Sequence, residues 1–516
     1  MNENNKKFLN SSIFSEYDKF LDKKSDEILD NDYFHSNITL SRNHLIGSEL
    51  LKNLIKNHDV KINFIFIIKN IIIFYIRNFY YLFLWIFYFI FSQTKLLFKF
   101  SFKRKLNNKK YILIQTYIDK KSIIDNKKFT DNYFRELYQY LDKKSEKYII
   151  LQNISEKITN FKNRLYIINK TSTSHVSHIN EFNFLVFADL FKLLIFILSY
   201  PIFLFKYYKN IKINSKIDKL YKYDLIYTLS KTSFIPYVQL LLGKRLKKKF
   251  KDKEVKIISW HENQLIHRNF NRGIKSENIK IYGCQYFMKY PSCRWMYLRE
   301  NDKKFNVLPD IILVPGKKYL PSISSLKYNI GTPFRYRDIY DKEKHAKQLD
   351  RISIFVMLPY EQVQSENLID FLNSSEYLKK LKIDIKIHPD FIHRKKYFED
   401  RINKNWKLVD TNLDFTNYNI LITKGTGSII EFIAKGFSVL LIEDNNILSL
   451  NPLDKHGKKI IWDSIEKSSD FSFIINELYE NRIKKFEKIK EISNEFKSEY
   501  FKEVTENNFK SDFGLQ

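Results

Sequence analysis

Residues 417–442, NYNILITKGTGSIIEFIAKGFSVLLI, decide how the rest of this chain is read. An apolar run leads into the small polar turn Lys424-Gly425-Thr426-Gly427-Ser428; a short apolar-periodic segment then ends at Gly436, and a second apolar run follows. Strand, turn, helix and strand in so few residues make a βαβ unit. The turn opens onto a helix start, where backbone N–H groups lack intrahelical partners and the dipole is positive, which suits a phosphate. Gly425 and Gly427 let a ligand approach the backbone, and Thr426 and Ser428 add hydroxyl donors. The alternative is a plain helix cap, because Ser428 followed three residues on by Glu431 is also a capping box.

Upstream, the run I-D-I-K-I ends at His388-Pro389-Asp390, a second polar group at a strand end. In an open parallel sheet ligands gather outside the carboxyl ends of the strands, so His388 and the 425–428 turn are expected to face one ligand. A hydrogen-bonded loop histidine is the plainer reading, and Pro389 stiffens the turn under either. A fresh α/β alternation begins after Gly331-Thr332-Pro333, with a strand at 352–358, a helix at 366–373 and a strand at 383–387. Before it, strands are expected at 111–117, 147–152, 164–169, 224–229, 255–260, 279–282 and 311–314, with helices at 48–56 and 233–246. The expected organisation is a polar region 1–60, a first Rossmann-like domain 61–330, a second 331–470, and a charged, mostly solvated helical tail 471–516. No internal repeat is evident.

At 516 residues the chain can hold two or three domains. A formal charge of +30 asks for an anionic partner, although an excess of Lys, Asn, Ile, Phe and Tyr beside 11 Gly and 10 Pro marks part of it as compositional bias. Lys is spread along the chain instead of clustering with aromatics, which speaks against nucleic acid as the partner. Cys284 and Cys293 lack a metal-type partner pair and fit a reducing cytoplasm. The polar start M-N-E-N-N-K-K leads us to expect no secretory signal.

Two apolar segments, 64–92 and 184–205, interrupt the first domain. Each is about long enough to span a bilayer, which needs ~20 apolar residues. Charges interrupt both, however: Arg77 in the first, Asp189 and Lys192 in the second. A charge at the bilayer centre costs roughly 2.5–3.5 kcal/mol on insertion scales. Helices lying in the membrane interface, with neighbouring Lys and Arg on anionic lipid, are favoured over a transmembrane hairpin and over burial in a soluble core.

The His-Pro pair, the Gly/Ser/Thr turn and the helix closing at Ala434-Lys435-Gly436 resemble the donor domain of GT-B glycosyltransferases, especially bacterial surface-polysaccharide enzymes such as sialyl-, Kdo- and polyol-phosphate transferases. The resemblance covers about residues 350–445 and, more loosely, 255–315. It implies that His388 and Pro389 hold the nucleotide, that Thr426, Gly427 and Ser428 hold its phosphate, and that Glu431 reaches ribose hydroxyls. In the first domain His261-Glu262-Asn263-Gln264 and Gly283-Cys284-Gln285 resemble the acceptor side of such enzymes, or form a polar loop and cap. An inverting transfer needs a base within hydrogen-bond reach of the acceptor hydroxyl; Glu262 is the first candidate and His261 the second. The acidic-acidic-Gly base motif of His-Pro sialyltransferases is absent, since Asp302 and Asp310 lack the following Gly.

Arg268, Arg272, Arg335 and Arg337 could touch phosphate, a solvated face being the plainer reading of each. The stretch T-S-T-S-His175-V-S-His178 follows an expected strand and could line the acceptor site, but without an Asp or Glu at ligand spacing it makes a poor metal site. No DxD, Walker or dinucleotide motif stands where it would bind nucleotide, so no metal and no cofactor beyond the nucleotide-sugar substrate is expected. The expected function is metal-independent glycosyl transfer, with CMP-sugars among the donors, to a surface-polysaccharide or lipid-linked acceptor at the cytoplasmic face of the inner membrane. The alternatives are a CDP-polyol phosphotransferase or nucleotide-sugar epimerase of the same fold, and an inactive membrane-bound scaffold.

Overall fold

The computed structural model describes residues 19–24, 31–41, 62–97, 109–124, 128–129, 131, 133–155, 157–173, 177–290, 296–409, 414–443 and 451–515. The expected helix at 48–56 and Cys293 lie outside them. Among the described residues the first half of the fold is a seven-stranded sheet built from β1 (Lys110–Ile118), β4 (Tyr148–Ile154), β5 (Ser177–Ile179), β6 (Glu254–Trp260), β7 (Ile279–Cys284), β8 (Ile311–Val314) and β9 (Tyr328–Ile330). β2 (Ile123–Ile124) and β3 (Lys128–Phe129) form a small antiparallel hairpin beside it. The second half is a six-stranded sheet of β10 (Ile354–Met357), β11 (Ile383–Lys386), β12 (Trp406–Val409), β13 (Ile420–Thr423), β14 (Ser438–Ile442) and β15 (Trp462–Ile465).

Every pairing in both sheets is parallel, and the central strands carry Ile, Leu and Val on both faces because helices cover both. The strand orders are β5-β4-β1-β6-β7-β8-β9 and β12-β11-β10-β13-β14-β15. Each sheet therefore grows outward from its first strand in one direction and then the other. That reversal leaves a crevice at the carboxyl ends of β1 and β6 in one sheet and of β10 and β13 in the other.

Two expected strands are helices. Residues 164–169 lie within the helix Phe161–Thr173, with Arg164, Ile167, Ile168 and Thr171 buried at helical spacing, and 224–229 end the helix Lys216–Leu229, whose start is capped when the Ser215 hydroxyl accepts from the Asp218 N–H. Both runs are short, and apolar runs of that length fit either period. The tail is also less solvated than expected. Its helices Phe471–Lys484 and Phe486–Tyr500 bury Phe471, Ile475, Leu478, Ile492 and Phe496 on the second half, while Glu506–Phe513 buries Phe509 and Phe513 in the core of the first. The returning chain is fastened by the Lys502 N–H donating to the Pro315 carbonyl and by Thr332 donating to Asp512.

The apolar segments form two long helices, Phe64–Leu97 and Phe187–Asn210, long and apolar enough to cross a membrane by length and composition. Each buries one face against the first half, through Phe74, Trp85 and Phe89 and through Phe196, Tyr200 and Leu204. Each exposes another face, with Ile76 at 67%, Phe83 at 72% and Phe191 at 69% of full exposure. Of the charges inside them, Asp189 and Arg77 face protein, buried Asp189 accepting two bonds from Arg245 and Arg77 donating to the Ser230 carbonyl, while Lys69 and Lys192 are exposed.

Candidate active site

The carboxyl ends of the two sheets face each other across one cleft of about 420 Å³, within the size range of small-molecule sites. From the second half come Met357 and Leu358 after β10, Lys386, Ile387 and His388 at β11, and Thr426, Gly427, Ser428 and Glu431 after β13. The two strand-end motifs thus meet because β11 and β13 both flank β10. The imidazole of His388 stands edge-on to Tyr360. Pro389 opens the short helical turn Pro389–Arg394, in which Phe391 N–H donates to the His388 carbonyl.

The turn after β13 is shaped by its glycines. Gly425 has φ +60°, a left-handed conformation that glycine adopts without cost. A Cβ on Gly427 would stand 3.0 Å from the Cβ of Met288, so the turn touches a first-half loop directly. The capping box does not form: the cap residue of the helix Ser428–Ala434 is Gly427, without a side-chain bond. Glu431 pairs instead with Lys435 at 2.9 Å, one turn on, while lining the cleft.

From the first half come Glu262, Phe287, Met288, Tyr290 and Met296. Glu262 follows β6 and is half-buried; Trp260 Nε1 donates to its Oε1 at 2.7 Å and Gln264 Nε2 to its Oε2 at 2.6 Å, which fixes the carboxylate toward the cleft. Its neighbours do not reach the cleft wall. His261 is fully buried, with neither ring nitrogen hydrogen-bonded, and desolvation holds its imidazole neutral, well below the usual histidine range. Asn263 takes a left-handed φ of +54° and accepts from Arg268, behind the loop. Gln285 is fully buried, its amide 3.4 Å from the Met296 carbonyl. Gln264 acts through Glu262.

Of the four arginines, three are structural. Arg268 forms a two-bond pair with Asp302, both fully buried; Arg272 pairs with Asp32 and Arg337 with Glu136. Arg335 alone lines the cleft, exposed and close enough to Glu262 and Glu431 for both to hold its charge, after the larger effect of Tyr336. Lys386 joins it, its ammonium pulled below the usual lysine range by desolvation and raised by Glu431. Among the described residues neither cation has an ion-pair partner. Lys386 was legible in principle: in I-D-I-K-I the isoleucines take the core face, which turns Lys386 to the other.

Two doubly wound parallel sheets thus meet carboxyl edge to carboxyl edge. The fold is GT-B-like. No family model matches the sequence, and no curated protein matches it. Solved structures similar to this chain include Acinetobacter baumannii MurG (9% identity, TM-score 0.40, covering 79% of this chain and 99% of that one) and an S. aureus MnaA–UDP co-structure (10%, 0.40, 79% and 98%). The wall teichoic acid polymerase TagF is another, at 11% identity and TM-score 0.35, covering 80% of this chain and 89% of that one.

Proposed function

We propose that this protein is a glycosyltransferase that moves a sugar from a nucleotide-sugar to an acceptor held on the side of the first sheet. The observation that carries the reading is the single cleft in which Glu262 of one half faces His388, the Thr426-Gly427-Ser428 turn, Arg335 and Lys386. In this scheme Glu262 takes the proton of an acceptor hydroxyl as its oxygen attacks the anomeric carbon, and the nucleotide leaves with the bonding electrons. Arg335 and Lys386, with the turn's N–H and hydroxyl donors, stabilise the departing phosphate, so the transfer needs no metal ion. His388 and Pro389 would seat the nucleotide and Glu431 its ribose; CMP-sugars are the first donor class to test.

The acceptor in this reading is a surface glycan or a lipid-linked one, and the exposed faces of the two apolar helices rest in the interface of the inner membrane on its cytoplasmic side. Such placement keeps the cleft near a membrane-bound acceptor. The test is calorimetric binding of CMP, CDP, UDP and GDP to detergent-purified protein. One nucleotide is expected to bind selectively, and His388→Ala and Arg335→Ala are each expected to weaken it roughly tenfold, the loss of one charge-assisted contact. Failure of the folded parent to bind any of the four would put the inactive scaffold ahead.

A further inference from the structure

A second cavity, of about 320 Å³, lies on the same edge of the first sheet, beside Tyr117 near the end of β1 and Asn153 and Ile154 at the end of β4. One wall is the first apolar helix, which contributes Arg77 and Tyr81. The lining holds three cations, Arg77, Lys157 and Arg164, against one carboxylate, Glu181, which is already paired with Arg164 at 3.3 Å. Arg77 spends Nη1 on the Ser230 carbonyl and rests against the Tyr81 ring, leaving its buried Nε without a hydrogen-bond partner. Lys157 is exposed and has no ion pair among the described residues. Gln239 is 5% exposed, and its buried Oε1 has no hydrogen-bond partner. Buried polar groups are normally satisfied: the Arg77 Nε–H is a donor without an acceptor and the lining carries excess positive charge, which call for an anion, whereas the Gln239 oxygen is an acceptor and calls for a donor such as a hydroxyl on the same ligand.

The surroundings say which anion. Arg77 sits on a helix whose neighbouring side chains Ile76, Tyr80 and Phe83 are exposed and largely apolar, so the charged wall of the cavity adjoins an exposed apolar surface. On the other side the cavity backs onto the cleft. Tyr117 Oη lies 3.3 Å from His267 Nε2, and His267 Nδ1 in turn accepts from the Glu262 N–H at 3.3 Å. We infer that this cavity seats the phosphate of a membrane lipid, with the tail along the exposed faces of the two apolar helices and the head group extending toward Glu262. The lipid's role as acceptor rests on the transferase reading; its binding does not.

The test is calorimetry on the full chain in dodecyl maltoside, with dodecyl phosphate as the lipid probe and inorganic pyrophosphate as the free anion. Dodecyl phosphate is expected to bind, and Arg77→Gln and Lys157→Ala are each expected to weaken it roughly tenfold while binding of the cleft nucleotide stays unchanged. Lys157 is exposed, so its variant decides the matter even where Arg77→Gln fails to fold. The inference is overturned by a parent that does not bind dodecyl phosphate, by binding indifferent to Lys157→Ala, or by pyrophosphate binding as tightly and equally weakened by Lys157→Ala, which would mark a site for a soluble anion. Nucleotide binding by the parent is read separately, so loss of this inference and loss of the transferase reading are distinct results.

Discussion

The two strand edges that face each other across the cleft both carry polar residues and use them in opposite ways. After β6 and β7 the polar side chains turn inward: His261, Asn263, His267, Arg268 and Gln285 are all buried, and what emerges is one oriented carboxylate, Glu262. After β11 and β13 the backbone makes the turn, with Gly425 at positive φ and Gly427 packed against Met288, and His388, Thr426 and Ser428 are left half-buried in the cleft. A polar cluster at a strand end is therefore not by itself a binding site. On one side it is the frame that holds a single group, and on the other it lines the cleft itself.

The sharpest way to break that contrast is to cut the frame. Arg268→Leu would leave Asp302 buried without its main partner, although Arg299 still reaches it at 3.0 Å, and removing one member of a buried pair costs about 3–5 kcal/mol. Urea unfolding is expected to show that loss. Arg335→Leu, across the cleft and exposed, is expected to stay within about 0.5 kcal/mol of the parent. Similar losses for the two arginines would erase the distinction between frame and surface. Next in size is Glu262→Gln, which keeps the shape and the Trp260 bond but removes the carboxylate proposed as the base. Turnover is expected to fall about 100-fold or more with the melting temperature nearly unchanged. A variant that keeps full activity would remove Glu262 from the chemistry.

A smaller effect follows from a lysine on the framed side. Lys289 belongs to the loop that sends Phe287, Met288 and Tyr290 into the cleft, but it is itself buried, its ammonium near the rings of Tyr297 and Tyr328. Desolvation pulls its pKa down from 10.5 to about 7. Between those two values the unfolded chain holds a proton that the folded chain has released, so stability rises with pH across that window. The slope is at most about 1.4 kcal/mol per pH unit and vanishes below the folded value, where both states are protonated. Stability curves from pH 7 to 9 are expected to lose this slope in Lys289→Met; a slope that persists would assign it to other groups.

The second half was the more legible because its signals are local. Residues 417–442 contain a complete strand, turn, helix and strand, and His388 follows its strand by two residues, so a linear reading captures what the topology later brings together. The first half hid more. Residues 164–169 and 224–229 have the composition of strands and become helices because tertiary burial selects the helical face. Which arginine reaches the cleft depends on long-range partners, since Asp302, Asp32 and Glu136 claim the other three from 34, 240 and 201 residues away. The capping box Ser428–Glu431 matched its pattern in sequence and failed in structure, because the helix begins one residue earlier, with Gly427 at the cap and Ser428 already helical, and Glu431 pairs with Lys435.

The finest test concerns a place where frame and surface touch. Gly427 has φ −62° and ψ −22°, which any residue adopts, so Gly427→Ala brings no backbone strain and acts only through space. Its new Cβ would meet Met288 Cβ at 3.0 Å and Cγ at 3.1 Å, and Tyr290 Oη at 3.3 Å. Met288 cannot simply swing away, because it is buried in the cluster with Ile429, Phe432 and Tyr336. The loop and the turn must therefore separate by a few tenths of an ångström. Loss of chain entropy in the unfolded state favours alanine by about 0.4–1 kcal/mol and offsets the crowding, so the melting temperature is expected to stay near the parent's. Nucleotide affinity is expected to fall two- to threefold as the cleft widens. Gly425→Ala, by contrast, strains a left-handed residue and is expected to lower stability by about 1–2 kcal/mol with no widening at the Met288 contact. Unchanged affinity in Gly427→Ala would mean that the two halves set the cleft elsewhere, through the returning tail at Thr332 and Asp512.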